Sequence, residues 1–243
     1  MNKNLIQKRF SKNLKTYNEN AKIQKQMAKT LCAKIDKKEF QNILEIGCGT
    51  GLLTEIASKI LKSNSYTAID IVPDCENFIK KINPNIEFIA EDVEKFLKNT
   101  EKKYDLIISN ATFQWIENFE DFFHMLFNKL NKKGVLLFST FGKENFREIY
   151  FVIGKTLNYY SKNELQEILK VYSPKIEEEV HILSFSTPKE ILKHIKQTGV
   201  NSLEETIWTK QDLKNFENGY NNFCSGRPTL TYNPIYVEIV KNI

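Results

Sequence analysis

The sequence predicts an α/β fold with a mostly parallel sheet, and three features of the chain support this prediction. An apolar run at 42–46 leads into glycines spaced G-x-G-x-G at Gly47, Gly49 and Gly51, directly before a helical pattern. Short apolar runs and helical patterns then alternate as far as residue 141, as in successive βαβ units. Several of these runs end on an acidic or amide residue. Because the crossovers are right-handed, we expect the carboxyl ends of the strands at one edge of the sheet, where ligands bind.

The chain is predicted to form one domain, residues 1–243, made of four stretches. Residues 1–38 carry apolar residues at three- and four-residue steps and predict two covering helices with a break near residues 18–20. The predicted cofactor-binding core, 40–141, has strands at 42–46, 66–70, 86–90, 104–109 and 135–140 and helices at 52–61, 74–82, 93–97 and 119–130. The predicted cap, 142–228, has helices at 144–156, 163–171, 188–198 and 210–220 and one sheet strand at 178–185. Residues 229–243 contain the last strand, Thr229–Lys241.

Positive charge is concentrated at the N-terminus. The whole chain carries a formal net charge of +5, but residues 1–38 hold eleven basic and two acidic side chains, a net charge of +9 that leaves −4 for the remainder. Such a segment attracts an acidic protein, phosphate or nucleic acid. The alternative is an ordinary solvated helix face. The basic residues are Lys3, Lys8, Arg9, Lys12, Lys15, Lys22, Lys25, Lys29, Lys34, Lys37 and Lys38.

Composition favours a cytoplasmic enzyme. With 41% hydrophobic and 27% charged residues, the chain resembles globular proteins that bury a core. Its apolar runs are shorter than the ~18–20 residues of a membrane span, and its first residues lack the apolar core of a secretory signal. Four cysteines and three histidines are scattered without metal-ligand spacing, so we expect reduced thiols and no metal site.

Polar residues at the predicted strand ends indicate a nucleotide-type cofactor. The glycine-rich turn allows a ligand to approach the backbone and leads into a helix N-terminus. Asp70, which ends the second strand, is placed to accept hydrogen bonds from two ribose hydroxyls. Asp92, after the third strand, is placed to accept one from the adenine amine, with Val93 beside it. Asn110 follows the fourth strand and is expected to line the rim beside the transferred group.

Dinucleotides and S-adenosylmethionine both fit an acid at the second strand. The dinucleotide fingerprint G-x-G-x-x-G requires a glycine at position 52, where this chain has leucine. Glu45, two residues before the first glycine, is unfavourable beside a pyrophosphate but attracts an ammonium or sulfonium group. These residues therefore favour S-adenosylmethionine.

The run from Leu44 to Gly51 resembles the first motif of the class I S-adenosylmethionine-dependent methyltransferases. Asp70 and the run Glu91-Asp92-Val93 match the ribose and adenine contacts of that superfamily. The resemblance implies a Rossmann-like, seven-stranded, mostly parallel sheet whose last strand is antiparallel. It also implies S-adenosylmethionine as methyl donor and S-adenosylhomocysteine as product. The cofactor-binding residues are then Tyr17, Glu45, Gly47, Cys48, Gly49, Gly51, Asp70, Ile71, Asp92, Val93 and Asn110.

Segments along nearly the whole chain are similar to the malonyl-acyl-carrier-protein O-methyltransferases, which open pimeloyl synthesis for biotin. These segments are 10–24, 109–115, 138–142 and 226–232. The similarity implies methyl transfer to the free carboxylate of malonyl-acyl-carrier protein or malonyl-CoA. It implies the acidic carrier protein as partner, which the basic N-terminal helices would steer, and no membrane or nucleic acid.

The implied reaction depends on positioning and needs no general base, because a carboxylate is already ionised at pH 7. Arginine orients a carboxylate best, so Arg227 and Arg147 are both candidates, with a surface ion pair as the alternative for each. Tyr17 resembles the aromatic residue that closes over the cofactor, with helix packing as the alternative. The other candidates for positioning the substrate are Gln114, Trp115 and Tyr232, with core packing as the alternative for Trp115 and sheet packing as the alternative for Tyr232.

Three other functions fit part of the pattern. A methyltransferase for a small free acid, such as an aconitate-type carboxylate, would share the fold without needing a basic face. A nucleic-acid methyltransferase is disfavoured because residues 110–113 lack the Asn/Asp-Pro-Pro-Phe/Tyr signature and the basic residues are not interleaved with aromatics. A non-catalytic S-adenosylmethionine-binding protein would keep the glycines, Asp70 and Asp92 as well.

Overall fold

The computed structural model describes residues 3–198 and 209–242, so part of the predicted cap, 199–208, lies outside the described residues. The strands are β1 (Glu39–Ile46), β2 (Lys62–Asp70), β3 (Glu87–Ala90), β4 (Tyr104–Asn110), β5 (Leu130–Phe141), β6 (Lys175–Glu178), β7 (His181–Ser184), β8 (Thr229–Tyr232) and β9 (Pro234–Val240). The helices are α1 (Lys3–Asn20), α2 (Lys22–Ala33), α3 (Leu52–Ile60), α4 (Glu76–Ile82), α5 (Val93–Asn99), α6 (Phe119–Asn128), α7 (Arg147–Ile153), α8 (Lys162–Leu169), α9 (Pro188–Gln197) and α10 (Lys210–Phe223).

Seven strands form one sheet in the order β3-β2-β1-β4-β5-β9-β6. The first five pair in parallel, whereas β9 lies antiparallel between β5 and β6. From the central β1 the chain moves outward to β3 and then returns to β4 on the other side of β1. The winding therefore reverses between β1 and β4, which is where open α/β sheets bind ligands beyond the carboxyl ends of the strands. The prediction of a Rossmann-like, mostly parallel sheet with an antiparallel last strand is confirmed.

Apolar residues fill both faces of the sheet. Along the central strand β4, Leu106 and Ile108 enter one core cluster and Ile107 enters the other, as the alternation of side chains in a strand requires. The first of these clusters also contains Ile191 and Phe216 of the cap. A continuous apolar core thus joins the cap to the sheet.

The two N-terminal helices are held very differently. α2 buries Met27, Ala28 and Leu31 in the core cluster that also holds the cap. α1 is eighteen residues long, yet Leu14 is the one side chain that it buries fully. α1 therefore lies over the fold as a cover, as predicted, and α2 anchors it. In the described part of the chain, no helix combines the length and apolar character needed to cross a lipid bilayer.

Two of the predicted strands are each divided in the structure. The predicted strand 229–241 is interrupted at Asn233, so that β8 pairs with β7 in a separate two-stranded sheet while β9 joins the main sheet. The predicted strand 178–185 divides in the same way into β6 and β7. Asn233 explains both breaks: its Nδ2 donates to Glu178 Oε1 (3.0 Å) and to the main-chain oxygen of Glu179 (2.9 Å). Side-chain hydrogen bonds replace the ladder at this crossing between the two sheets.

Candidate active site

The turn after β1 forms a cradle that only glycine permits. Gly47 and Gly51 have φ values of +68° and +81°, in the left-handed region that side chains disfavour. A Cβ on Gly47 would lie 2.2 Å from Thr112 Oγ1, and one on Gly51 would lie 2.3 Å from Ile82 Cδ1. A side chain at either position would therefore be strained and would collide with Thr112 or Ile82, and the turn leads directly into the N-terminus of α3.

Asp70 at the end of β2 holds this cradle in shape. Its Oδ2 accepts a hydrogen bond from Gly49 N (2.8 Å), and its Oδ1 accepts one from Val72 N (2.9 Å). Burial raises the pKa of the Asp70 carboxyl group, and these backbone hydrogen bonds oppose the shift. The carboxylate therefore lines the cavity at a fixed orientation.

Glu45 lies on β1 behind the glycine turn and is buried. It accepts hydrogen bonds from Thr54 Oγ1 (3.0 Å) and Tyr66 OH (2.6 Å). Burial raises the pKa of Glu45 from its ordinary value of 4.5 to about 7, and the two hydrogen bonds only partly oppose this shift. The site thus places a titratable negative charge next to the cradle.

Asp92 makes two contacts in the structure that the sequence did not predict. Its Oδ1 caps α5 by accepting hydrogen bonds from Glu94 N (3.0 Å) and Lys95 N (3.2 Å). Its Oδ2 lies 2.7 Å from Lys3 Nζ. Although partial burial opposes ionisation, the contacts with Lys3 and the helix N–H groups lower the pKa of Asp92. The carboxylate that we expect to meet adenine therefore also pins the first turn of α1 to the sheet.

α1 covers the cavity with aromatic rings. Phe10 and Tyr17 meet edge to face with ring centroids 5.0 Å apart, and Phe10 Cζ lies 3.1 Å from where a Cβ of Gly49 would be. Gln7 Nε2 donates to the main-chain oxygen of Ile71 at 2.9 Å. Burial and the nearby Asp70 raise the pKa of Tyr17, so its hydroxyl remains a neutral donor. The sequence did not predict Phe10 as a site residue.

The loop after β4 forms the opposite wall. Asn110 Nδ2 donates to the main-chain oxygen of Gln24 (3.0 Å), and Asn110 Oδ1 accepts from Ser139 Oγ (2.7 Å). Gln114 is buried, and its Nε2 donates to the main-chain oxygen of Ala111 (2.6 Å). These bonds hold the loop at the carboxyl ends of β4 and β5.

One cavity brings together most of the predicted cofactor residues. Those that line it are Tyr17, Gly47, Cys48, Gly49, Asp70, Ile71, Asp92, Val93, Asn110 and Trp115. Lys3, Ile6 and Phe10 also line it, although the sequence did not predict them as cofactor-binding residues. Among the described residues, the predicted site residues that do not line it are Glu45, Gly51, Gln114, Arg147, Arg227 and Tyr232.

The two candidate arginines and Tyr232 lie in or beside the cap. Arg147 is half exposed, with its Nη1 3.2 Å from Glu144 Oε2, and Arg227 is exposed. Tyr232 is buried, and its hydroxyl lies 2.8 Å from His194 Nε2. Burial lowers the pKa of His194, and Lys22 lowers it further. Substrate positioning by these residues stays a prediction.

Known proteins share this fold. A family model described as a methyltransferase domain matches residues 13–201. A putative methyltransferase from Bacillus halodurans superimposes with a TM-score of 0.63, at 13% identity, over 89% of this chain and 99% of that one. An N-methyltransferase from Bradyrhizobium japonicum, crystallised with S-adenosyl-L-homocysteine, superimposes with a TM-score of 0.51, at 14% identity, over 90% of this chain and 86% of that one. The fold and site define a class I, S-adenosylmethionine-dependent methyltransferase.

Sequence relatives identify the family to which the chain belongs within this class. Malonyl-[acyl-carrier protein] O-methyltransferase from Calditerrivibrio nitroreducens is 40% identical over 96% of this chain and 95% of that protein. The proteins of the same name from Prosthecochloris aestuarii and Bacteroides thetaiotaomicron are 37% and 34% identical, over 97% and 98% of this chain and 92% and 97% of theirs. The chain belongs to the malonyl-[acyl-carrier protein] O-methyltransferase family.

Proposed function

We propose that the protein transfers a methyl group from S-adenosylmethionine to the free carboxylate of malonyl-acyl-carrier protein. The observation that carries the proposal is the identity of 34–40% to relatives of that name over at least 96% of the chain. The aligned region includes the glycine turn, the N-terminal helices and the cap. The product would be the malonyl methyl ester that starts pimeloyl synthesis for biotin, and malonyl-CoA offers the same carboxylate.

The residues around the cavity fit an adenosyl cofactor with a cationic tail. The turn at Gly47 presents backbone without a side chain, Asp70 and Asp92 present carboxylates at two strand ends, and Glu45 adds negative charge behind the turn. S-adenosylmethionine supplies an electrophilic methyl group on a sulfonium ion. Buried carboxylates near the cradle favour such a cation over a pyrophosphate.

The protein's own part in the reaction is to align the carboxylate and exclude water. A malonyl carboxylate is ionised at pH 7, so no residue has to remove a proton. Phe10 and Tyr17 cover the cavity from α1 and Trp115 lines it from the β4 loop, which removes water from around a bound carboxylate. The neutral Tyr17 hydroxyl and the Asn110 amide offer hydrogen bonds that orient it.

Arg227 and Arg147 remain our candidates for holding the malonyl carboxylate. Both the carrier-bound and the CoA-bound substrates carry this group. If Arg227 holds the malonyl carboxylate, Arg227→Ala should therefore lower turnover of both substrates to a similar degree. The same result is expected for Arg147→Ala if Arg147 holds the carboxylate. Gln114 and Tyr232 act through the loop and the cap in this proposal, since among the described residues neither lines the cavity.

We also propose that the N-terminal basic residues steer the acidic carrier protein. Lys8, Lys12 and Lys15 are exposed, and helical spacing places them on the side of α1 opposite Phe10 and Tyr17. Replacing the three lysines by glutamine should lower kcat/KM for malonyl-acyl-carrier protein at low salt and flatten its salt dependence. Unchanged turnover and unchanged salt dependence would refute the steering role.

The deciding experiment measures methyl transfer from labelled S-adenosylmethionine to malonyl-acyl-carrier protein, malonyl-CoA, free malonate and trans-aconitate in parallel. We expect transfer to the malonyl thioesters, with the carrier-bound form preferred. Transfer to trans-aconitate alone would support the small-acid alternative. Cofactor binding without transfer to any acceptor would support the non-catalytic alternative.

A further inference from the structure

Three large apolar side chains are exposed together on the cap. Tyr150 and Phe151 of α7 are 57% and 70% exposed, and Phe223 at the end of α10 is 38% exposed. The rings of Phe151 and Phe223 are stacked, with centroids 4.3 Å apart and an angle of 28° between their planes. We call these three residues the aromatic face. An exposed pair of stacked aromatic rings with a third exposed aromatic residue on the same helix is typical of an interaction site.

This exposure does not arise from a loosely attached helix. On the other side of α7, Ile149 is buried in the core, and Glu148 accepts hydrogen bonds from Thr231 N (2.9 Å) and Thr231 Oγ1 (2.6 Å). Val152 packs against α10 so closely that a Cβ on Gly219 would lie 3.1 Å from Val152 Cγ1. Other residues therefore hold α7 and α10 together, and the aromatic face is available for a partner.

The aromatic face lies toward the edge of the sheet that carries the cavity. α7 begins shortly after Phe141, the last residue at the carboxyl end of β5. Phe146, just before α7, meets the ring of Tyr232 at 5.0 Å between centroids, and the Tyr232 hydroxyl lies 2.8 Å from His194 Nε2. The main-chain oxygen of His194 accepts from Thr198 N (3.0 Å), and Thr198 lines the cavity. Packed side chains thus connect α7 to the cavity wall.

Two arginines lie close in the chain to the aromatic face, and one of them, Arg147, is paired with Glu144 at 3.2 Å. Arg147 lies one helical turn before Phe151, and Arg227 lies four residues after Phe223. Interfaces commonly combine an aromatic centre with a charged rim that selects the partner by complementarity. A partner for this surface should therefore present apolar side chains surrounded by acidic ones.

We propose that the aromatic face is the docking surface for the carrier-protein part of the substrate. The inference rests on the proposed function, because an acidic carrier protein is the partner which that reaction brings to the cavity edge. The aromatic rings would bury apolar area, the arginines would pair with acidic side chains, and the malonyl group would reach the cavity from the same edge. Malonyl-CoA lacks the carrier protein and does not need this surface.

The test compares the two thioesters in a Phe151→Ser/Phe223→Ser double variant. We expect kcat/KM for malonyl-acyl-carrier protein to fall about tenfold or more through a higher KM, as for loss of aromatic interface anchors. The Kd of fluorescently labelled carrier protein should rise to the same extent, and kcat/KM for malonyl-CoA should stay within about twofold. Val171→Ser is the matched control, because Val171 is 71% exposed elsewhere on the surface.

Other results would overturn the proposal. Unchanged carrier turnover and Kd would do so, as would equal losses on both thioesters, which would indicate a structural role. A change in oligomeric mass would assign the face to a second copy of the chain. If the unaltered enzyme methylates neither thioester, the proposed function fails instead, and binding of the labelled carrier protein still tests the surface.

The arginines provide an independent arm of the test. Arg147→Ala and Arg227→Ala should each raise the Kd of labelled carrier protein, and the rise should shrink as the salt concentration increases. An unchanged Kd in both variants would overturn the pairing of these arginines with the carrier protein.

Discussion

At the scale of single residues, the most informative group is the buried carboxylate of Glu45. Its pKa lies near 7 in the folded protein, compared with an ordinary value of 4.5, because burial disfavours the charged form. Between pH 4.5 and pH 7, Glu45 is therefore protonated in the folded state and ionised in the unfolded state. The contribution of Glu45 to stability is complete below pH 4.5 and is lost as the pH rises through 7.

We predict that Glu45→Gln abolishes this pH dependence. In the unaltered protein, ionisation of Glu45 should lower the free energy of unfolding by about 3 kcal/mol between pH 4.5 and pH 8. The neutral amide of the variant does not ionise, so this decrease should disappear. Chemical denaturation at several pH values measures it. Glu39→Gln, at an exposed position on the same strand, should keep the unaltered slope. An unchanged slope in Glu45→Gln would contradict the assignment.

The same carboxylate should couple protonation to cofactor binding. A cationic ligand near Glu45 favours the ionised form, so binding of S-adenosylmethionine should release a proton between about pH 6 and pH 8. Calorimetry in buffers of different ionisation enthalpy measures this release, and Glu45→Gln should eliminate it. Equal proton release in both proteins would assign the effect to another group.

Gln24 is the second residue with a measurable consequence. Its side chain is buried, and neither its Nε2 nor its Oε1 has a hydrogen-bond partner among the described residues. We predict that Gln24→Leu raises the free energy of unfolding by about 1–3 kcal/mol, because an unpaired buried amide is costly. Gln26→Leu, the same change at an exposed position of α2, should have little effect. A destabilised Gln24→Leu protein would contradict the prediction.

At the scale of secondary-structure elements, α1 combines functional contacts with weak anchoring. Leu14 is its one fully buried residue, whereas α2 buries six. α1 is attached by a small apolar cluster around Leu14 and by polar contacts along the cavity, including Lys3 with Asp92 and Gln7 with Ile71. Elements with few buried apolar contacts open at low free energy, and opening of α1 would admit the cofactor.

We predict that backbone amides of α1 exchange hydrogen faster than those of α2, and that S-adenosylhomocysteine slows the exchange in α1 selectively. Lys3→Ala should further accelerate exchange in the first turn, because it removes the ion pair with Asp92. Lys8→Ala, at an exposed position of the same helix, is the control. Exchange in α1 as slow as in α2 would show that the cover does not open separately.

At the scale of the whole molecule, the cap and the sheet share one apolar core. Phe216 of α10 and Ile191 of α9 lie in the same cluster as Ile43 of β1. Regions that bury one common core are expected to unfold together. The candidate active site, which lies between the N-terminal cover, the sheet and the end of α9, therefore depends on the integrity of all of them.

We predict a single thermal transition in which secondary structure and cofactor binding are lost together. Phe216→Ala in the cap should destabilise the whole protein by about 3–5 kcal/mol and lower both midpoints equally. S-adenosylhomocysteine at about one hundred times its Kd should add about 2.7 kcal/mol. Two transitions, of which only one responded to Phe216→Ala, would show that the cap is a separate unit.

Local sequence patterns were sufficient for much of this description. The alternation of apolar runs predicted the parallel strands, and the glycine spacing with Asp70 predicted the cradle. These predictions succeed because strand burial and backbone conformation depend on residues close together in the chain. The division of two strands at Asn233 was missed, because it depends on hydrogen bonds to Glu178 and Glu179 more than fifty positions away.

The sequence by itself determined the class of fold, the glycine-rich turn after β1 and the family, since each depends on residue types at fixed spacing. Only the tertiary structure placed Lys3 on Asp92 and Phe10 over Gly49, left both candidate arginines outside the cavity lining, and brought Phe151 beside Phe223. The physical reason is that these contacts join side chains from distant segments. Their directions are set by how helices pack on the sheet, which no local pattern records.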